Sequence, residues 1–118
     1  MARALLQRLA SRAMSTDALA LARHEWAEGG RRLEAERGDG RRYRQLVEQV
    51  DVVTDELRRR VGGVYTVAEL ARAYRDADSW ARQAVADRAP GPGWPRDLSL
   101  VLAAAFQAYQ RGAADYMP

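Results

Sequence analysis

The chain has 118 residues, 47% hydrophobic and 30% charged, and it contains no cysteine. The length points to one domain with a single core, and the composition excludes wholesale disorder. The missing cysteine excludes disulfides, thiolate metal sites, iron–sulfur clusters and cysteine nucleophiles together. The net charge of +3 lies wholly in residues 1–16, where Arg3, Arg8 and Arg12 stand without an acid; the remaining 16 arginines are balanced by 16 carboxylates.

That distribution bears on function. A dedicated nucleic-acid binder usually carries a basic body, because phosphate contacts supply most of the affinity. Here the body is neutral and only the N-terminal arm is basic. Lysine, isoleucine and asparagine are absent as well. A coding bias that replaces Lys by Arg and Ile by Val, Leu or Ala explains this better than selection for phosphate recognition, because it also touches apolar positions. The longest apolar run, Leu100 to Phe106, is far short of the roughly 20 residues that span a bilayer. No secretory signal is expected.

In chain order, the pattern predicts five helical stretches and no strand. Residues 1–14 form a basic amphipathic arm, with Leu5, Leu6, Leu9 and Ala13 toward one side of a short helix. Residues 15–118 form a single helical domain. Its first helix is expected over 17–37, capped by Ser15 or Thr16. Leu19, Ala22, Trp26, Gly29 and Leu33 recur there at a 3-4-3-4 spacing, the seam of a helix packed lengthwise on another. Gly29 and Gly30 suit a close helix–helix approach or a kink. "ERGDG" then makes a turn. A second helix over 41–61 repeats the seam at Tyr43, Leu46, Val50, Val53 and Leu57. It ends with Arg58, Arg59 and Arg60, which favour the negative end of the helix dipole, and with Gly62-Gly63 as cap. Matching seams and a short break predict an antiparallel hairpin.

The third helix, 66–88, opens with Thr66 three residues before Glu69, a capping box, with Tyr65 and Leu70 placed as a hydrophobic staple. "YTVAELA" also reads like the first helix of a bacterial helix-turn-helix regulator. Such a motif needs a turn at Arg75 to Asp78 and a second helix capped by Ser79. Against it, Val67, Leu70, Tyr74, Ala77, Ala81 and Ala84 keep one phase across the supposed turn. Asp76 and Asp78 would also stand where phosphate should be welcomed. One continuous helix is therefore expected. "APGPGWP" interrupts the chain. The last helix, 95–111, starts at Pro95 and is apolar nearly all round, which suits the middle of a bundle.

Chemistry is sparse. His24 and Glu28 share a helix face, but no further His or Cys completes a metal site. A di-iron bundle would need Glu three residues before His24, and that position is Leu21. Glu48, Asp51 and Asp55 read as a solvated face, not as an acid–base pair. Arg31-Arg32, Arg41-Arg42 and Arg58 to Arg60 have acids nearby, such as Glu28 for Arg32 and Asp55 and Glu56 for Arg59 and Arg60. No phosphate loop or nucleophile elbow is present.

The composition and the tail "AAFQAYQRGAADYMP" resemble small helical proteins of high-GC Gram-positive (actinobacterial) bacteria to which no activity is attached. The resemblance covers the second half of the chain and implies a bacterial cytoplasmic protein. The expected fold is all-α, four main helices in a bundle plus the short N-terminal helix. The expected function is that of a non-catalytic, regulatory interaction protein with no cofactor, metal or small-molecule substrate. It would bind another protein or itself, with Arg3, Leu5, Leu6, Arg8, Leu9 and Arg12 as partner-binding residues. The alternative is a helix-turn-helix DNA-binding regulator using 66–88, with Ser79, Arg82, Gln83 and Arg88 toward DNA; otherwise nucleic-acid binding is expected to be weak.

Overall fold

The structure is a computed structural model that describes the backbone of residues 2–89 and 97–112 and the side chains of 17–89 and 97–112. Four α-helices and one short 3-10 turn make it up: α1 (Ala2–Ala35), the turn (Glu36–Gly38), α2 (Gly40–Val61), α3 (Val67–Arg88) and α4 (Leu98–Gln110). No strand occurs among the described residues. The chain is an all-α bundle, as its pattern predicts.

The core is built around α4. Leu98, Leu100 to Phe106 and Tyr109 are all buried, and α4 packs against each of the other three helices. A helix this apolar finds its free-energy minimum only where all sides are covered. The start of α4 is fixed by charge. Asp97 makes no side-chain cap bond to the helix, and its carboxylate instead accepts from the Arg42 guanidinium at 3.0 Å. Arg42 also donates to Glu36 at 2.9 Å, so one side chain ties the α1–α2 turn to the head of α4. The expected Pro95 start lies outside the described residues.

The seam of α1 faces α4 and α3. Ala22, Trp26 and Gly29 are buried, with Leu19 and Leu33 half-buried. Gly29 is required by geometry. A Cβ there would lie 2.3 Å from the Cβ of Ala103 and 2.9 Å from α4 backbone atoms. The close approach that the glycine pair suggested is therefore real, and α4 is the helix approached. Trp26 stacks on Phe106, with ring centroids 5.7 Å apart, and meets the Tyr74 ring edge-on at 5.6 Å.

Two features differ from the pattern. The matching seams of α1 and α2 do not meet each other to any extent; both turn to α4, which lies between them. Seam spacing specifies that a helix packs lengthwise, and it does not specify on which partner. In addition, α1 does not begin at Ser15 or Thr16. It runs unbroken from Ala2, so the arm and the first bundle helix are one helix. A side chain that can cap does not end a helix when the backbone on both sides favours one.

The other ends follow local rules. Asp39 caps α2 by accepting from the Arg42 amide, and Gly62 closes it with a φ of +89° that non-glycine residues rarely adopt. Thr66 and Glu69 form both bonds of the capping box. The loop between α2 and α3 is locked onto α4. The Tyr65 and Tyr109 rings stack 4.5 Å apart, the Tyr65 hydroxyl donates to the Tyr109 carbonyl, and the Tyr109 hydroxyl donates to the Gly62 carbonyl.

Candidate interaction surface

Residues 75–79 are helical throughout, and α3 is a single helix. The two-helix motif considered for 66–88 is therefore not formed. Continuous apolar phase overrode the turn: Val67, Leu70, Ala77, Ala81 and Val85 are buried on one side, with Tyr74 and Ala84 half-buried.

The side chains assigned to DNA under that motif have other occupations. The Ser79 hydroxyl donates to the Asp76 carbonyl at 2.9 Å, and Gln83 donates to Asp87 at 2.9 Å. Arg82 stands 3.6 Å from Asp78 on its own helix. Arg88 crosses to α2 and bonds Asp55 at 3.0 Å, and Asp55 also receives Arg58 at 3.2 Å.

Gln83 and Arg88 line a groove of about 410 Å³ between α2 and α3, with Glu56, Arg59, Arg60, Trp80, Ala84 and Asp87. At its centre the Arg60 guanidinium sits 4.8 Å above the Trp80 ring, a cation–π contact. Glu56 receives both Arg60, at 3.3 Å, and Arg59, at 3.6 Å. Every arginine in this groove thus has a carboxylate partner. The Arg58 to Arg60 run is a neutralised helix end, held by Asp55 and Glu56 as the sequence suggested, and offers no bare positive patch. Exposed pairs of this kind contribute about 0–1 kcal/mol each. The sequence reading missed the Trp80–Arg60 contact. Its signal was an aromatic residue one position away from the Ala77/Ala81 stripe.

A contrasting site lies where α3 meets the middle of α1. Ala18 and Leu19 of α1, with Ala68, Ala71, Arg72 and Arg75 of α3, line a small cavity of about 70 Å³. Arg72 and Arg75 are exposed and have no charge partner among the described residues. The same holds for Arg23, one turn beyond Leu19. The partner-binding candidates Arg3, Leu5, Leu6, Arg8, Leu9 and Arg12 lie on α1 just before this point; their backbone is helical, and their side chains lie outside the described residues.

The remaining reactive candidates are not assembled into a site. Glu28 bonds Arg31 at 2.6 Å, not Arg32, and this bond and charge hold its carboxyl below the usual range. His24 and Glu25 are exposed beside it, and Glu25 accepts from the Tyr74 hydroxyl at 2.9 Å. Burial, and secondarily the Glu25 bond, push the Tyr74 phenol well up. Glu48 and Asp51 are exposed on α2. Among the described residues, no cluster of three His, Asp or Glu able to hold a metal occurs and no helix is long and apolar enough to cross a membrane. Gln49 was also missed. It is the one buried polar side chain described, its Oε1 has no partner, and the five-residue seam had left it out.

Comparison with protein-family models, with curated proteins and with solved structures finds no match.

Proposed function

We propose that the chain is a non-catalytic interaction protein of the bacterial cytoplasm. In this reading it acts in a regulatory role, engaging another macromolecule or a second copy through a helix face. One observation carries this reading: α1 continues unbroken through Ser15 and Thr16, so the arm is a helical extension of a bundle helix. Continuing the 3-4 register of Leu19, Ala22, Trp26, Gly29 and Leu33 back along α1 reaches Ser15, Arg12, Arg8 and Leu5. Leu6 and Leu9 fall outside that register. The face occupied by Leu5, Leu6, Leu9 and Ala13 is centred roughly a third of a turn from the bundle seam. An apolar face set off from the seam is one that something else covers.

The test is deletion of residues 2–13. We expect the thermal midpoint to stay within about 2 °C and the oligomeric state or partner retention to change, read by light scattering and by co-purification. A cooperative transition many degrees lower, with assembly intact, would mean that the segment belongs to the folding core.

A further inference from the structure

We propose that the N-terminal part of α1, residues 2–16, lies on an anionic phospholipid surface, with Arg72 and Arg75 of α3 extending its basic border. This rests on the reading of that segment as an association element and names its partner.

Three observations converge. Residues 2–16 are helical and hold three arginines, three leucines and no acid. At 100° per residue, Leu5, Leu9, Ala2, Ala13 and Leu6 fall within one arc, in which Thr16 at the end of the segment is the single polar position. Arg3 takes a position beyond one edge of that arc, and Arg8 and Arg12 take positions beyond the other. Arginines bordering a leucine face are the arrangement of a helix in the plane of a bilayer interface, where the apolar face enters the acyl boundary and the basic residues meet headgroup phosphates. Third, Arg72 and Arg75 sit beside Ala18 and Leu19, where this segment joins the bundle, and have no charge partner among the described residues. Most arginines of the α2–α3 face are paired, and the groove's are all paired.

The alternatives fit less well. Two copies meeting through this segment would oppose like charges with no acid before Asp17 to relieve them. A nucleic acid would use the arginines and leave the leucines in water.

The experiment is flotation of the full chain with large unilamellar vesicles of phosphatidylcholine alone or with 25% phosphatidylglycerol. Three variants accompany the wild type: L5Q/L6Q/L9Q, R3Q/R8Q/R12Q and R72Q/R75Q. We expect flotation with the anionic vesicles only, weakened at 0.5 M salt. Each arginine lost should lower partitioning about fivefold, and the arm's triple variant on the order of a hundredfold. The leucine variant should not float, while its melting and helicity match those of the wild type. Equal binding to neutral vesicles, or no binding to anionic ones, overturns the proposal. So does anionic binding that survives the leucine changes, which is the result a phosphate-only site such as one for nucleic acid would give. A leucine variant that fails to fold overturns it too, because the face is then core. If vesicles are not bound but deletion of residues 2–13 still changes assembly or partner retention, the association reading stands and the lipid is wrong. If the deletion only lowers stability, both fall.

Discussion

The two halves of α1 share one backbone but differ in what their apolar residues are matched to. From Leu19 to Leu33 the seam is fitted to α4 and α3: Trp26 is closed in by Phe106 and Tyr74, and Gly29 admits Ala103 at a distance that no side chain would allow. From Ala2 to Thr16 the seam register falls on Ser15, Arg12, Arg8 and Leu5, and Leu6 and Leu9 lie off it. A helix is a rigid ruler for register, so one change of phase along it separates residues that hold the fold from residues that present a face. Arginine also differs in its pairing from region to region. Around the α2–α3 groove it is matched to carboxylates, and at the N-terminal end it is in excess.

The largest test of this contrast compares two residues on one helix. Trp26→Ala should cost about 3–5 kcal/mol, because it removes a fully buried aromatic and leaves a cavity among Phe106 and Tyr74. Leu9→Ala should change stability by less than about 0.5 kcal/mol. Urea denaturation of both variants decides, and a cost for Leu9→Ala approaching that of Trp26→Ala would end the distinction.

A smaller effect should follow at Gly29. Replacement by Ala drives a methyl group into α4 backbone, where no flexible side chain can give way, and should cost about 1–3 kcal/mol despite the better helix propensity of alanine. In the other half, Ala13→Gly should cost no more than about 1 kcal/mol, the propensity difference alone.

Alkaline titration probes the same junction. Burial and the Glu25 bond raise the Tyr74 phenol, so the folded state keeps its proton where the unfolded chain gives it up. Burial raises Tyr109 in the same direction, against the lowering influence of Arg58. This contribution is complete below the unfolded phenol value of about 10 and is lost as pH rises above it. Denaturation midpoints should fall from about pH 10 upward, and Tyr74→Phe should flatten that fall.

The smallest effect on stability separates the two sets of arginines. Arg88→Gln and Arg12→Gln should each change stability by less than about 1 kcal/mol, since the Arg88–Asp55 pair is exposed and residues 2–16 hold no carboxylate for Arg12 to pair with. Only Arg12→Gln should weaken retention on anionic vesicles. An equal loss from both would mean that charge anywhere on the molecule suffices.

The sequence by itself determined that the chain is helical, where α2 and α3 start and stop, and the main apolar stripe of each; it did not show that α1 runs on through Ser15 and Thr16. Apolar phase is local and cumulative, which is why it settled Val67–Arg88 as one helix against a familiar opening such as "YTVAELA". The capping box at Thr66 and the positive-φ stop at Gly62 were legible for the same reason: their bonding partners lie within a few residues. Partner choice was decided only by the tertiary structure. The equal seams of α1 and α2 did not reveal that α4 would lie between them, because spacing carries no label for the surface opposite. Arg42 joining Glu36 to Asp97, 55 residues away, and Arg60 covering Trp80 arise from the same assembly. So does the burial of Gln49. Helix formation uses neighbours in the chain, whereas packing uses neighbours in space, and only the folded arrangement makes those known.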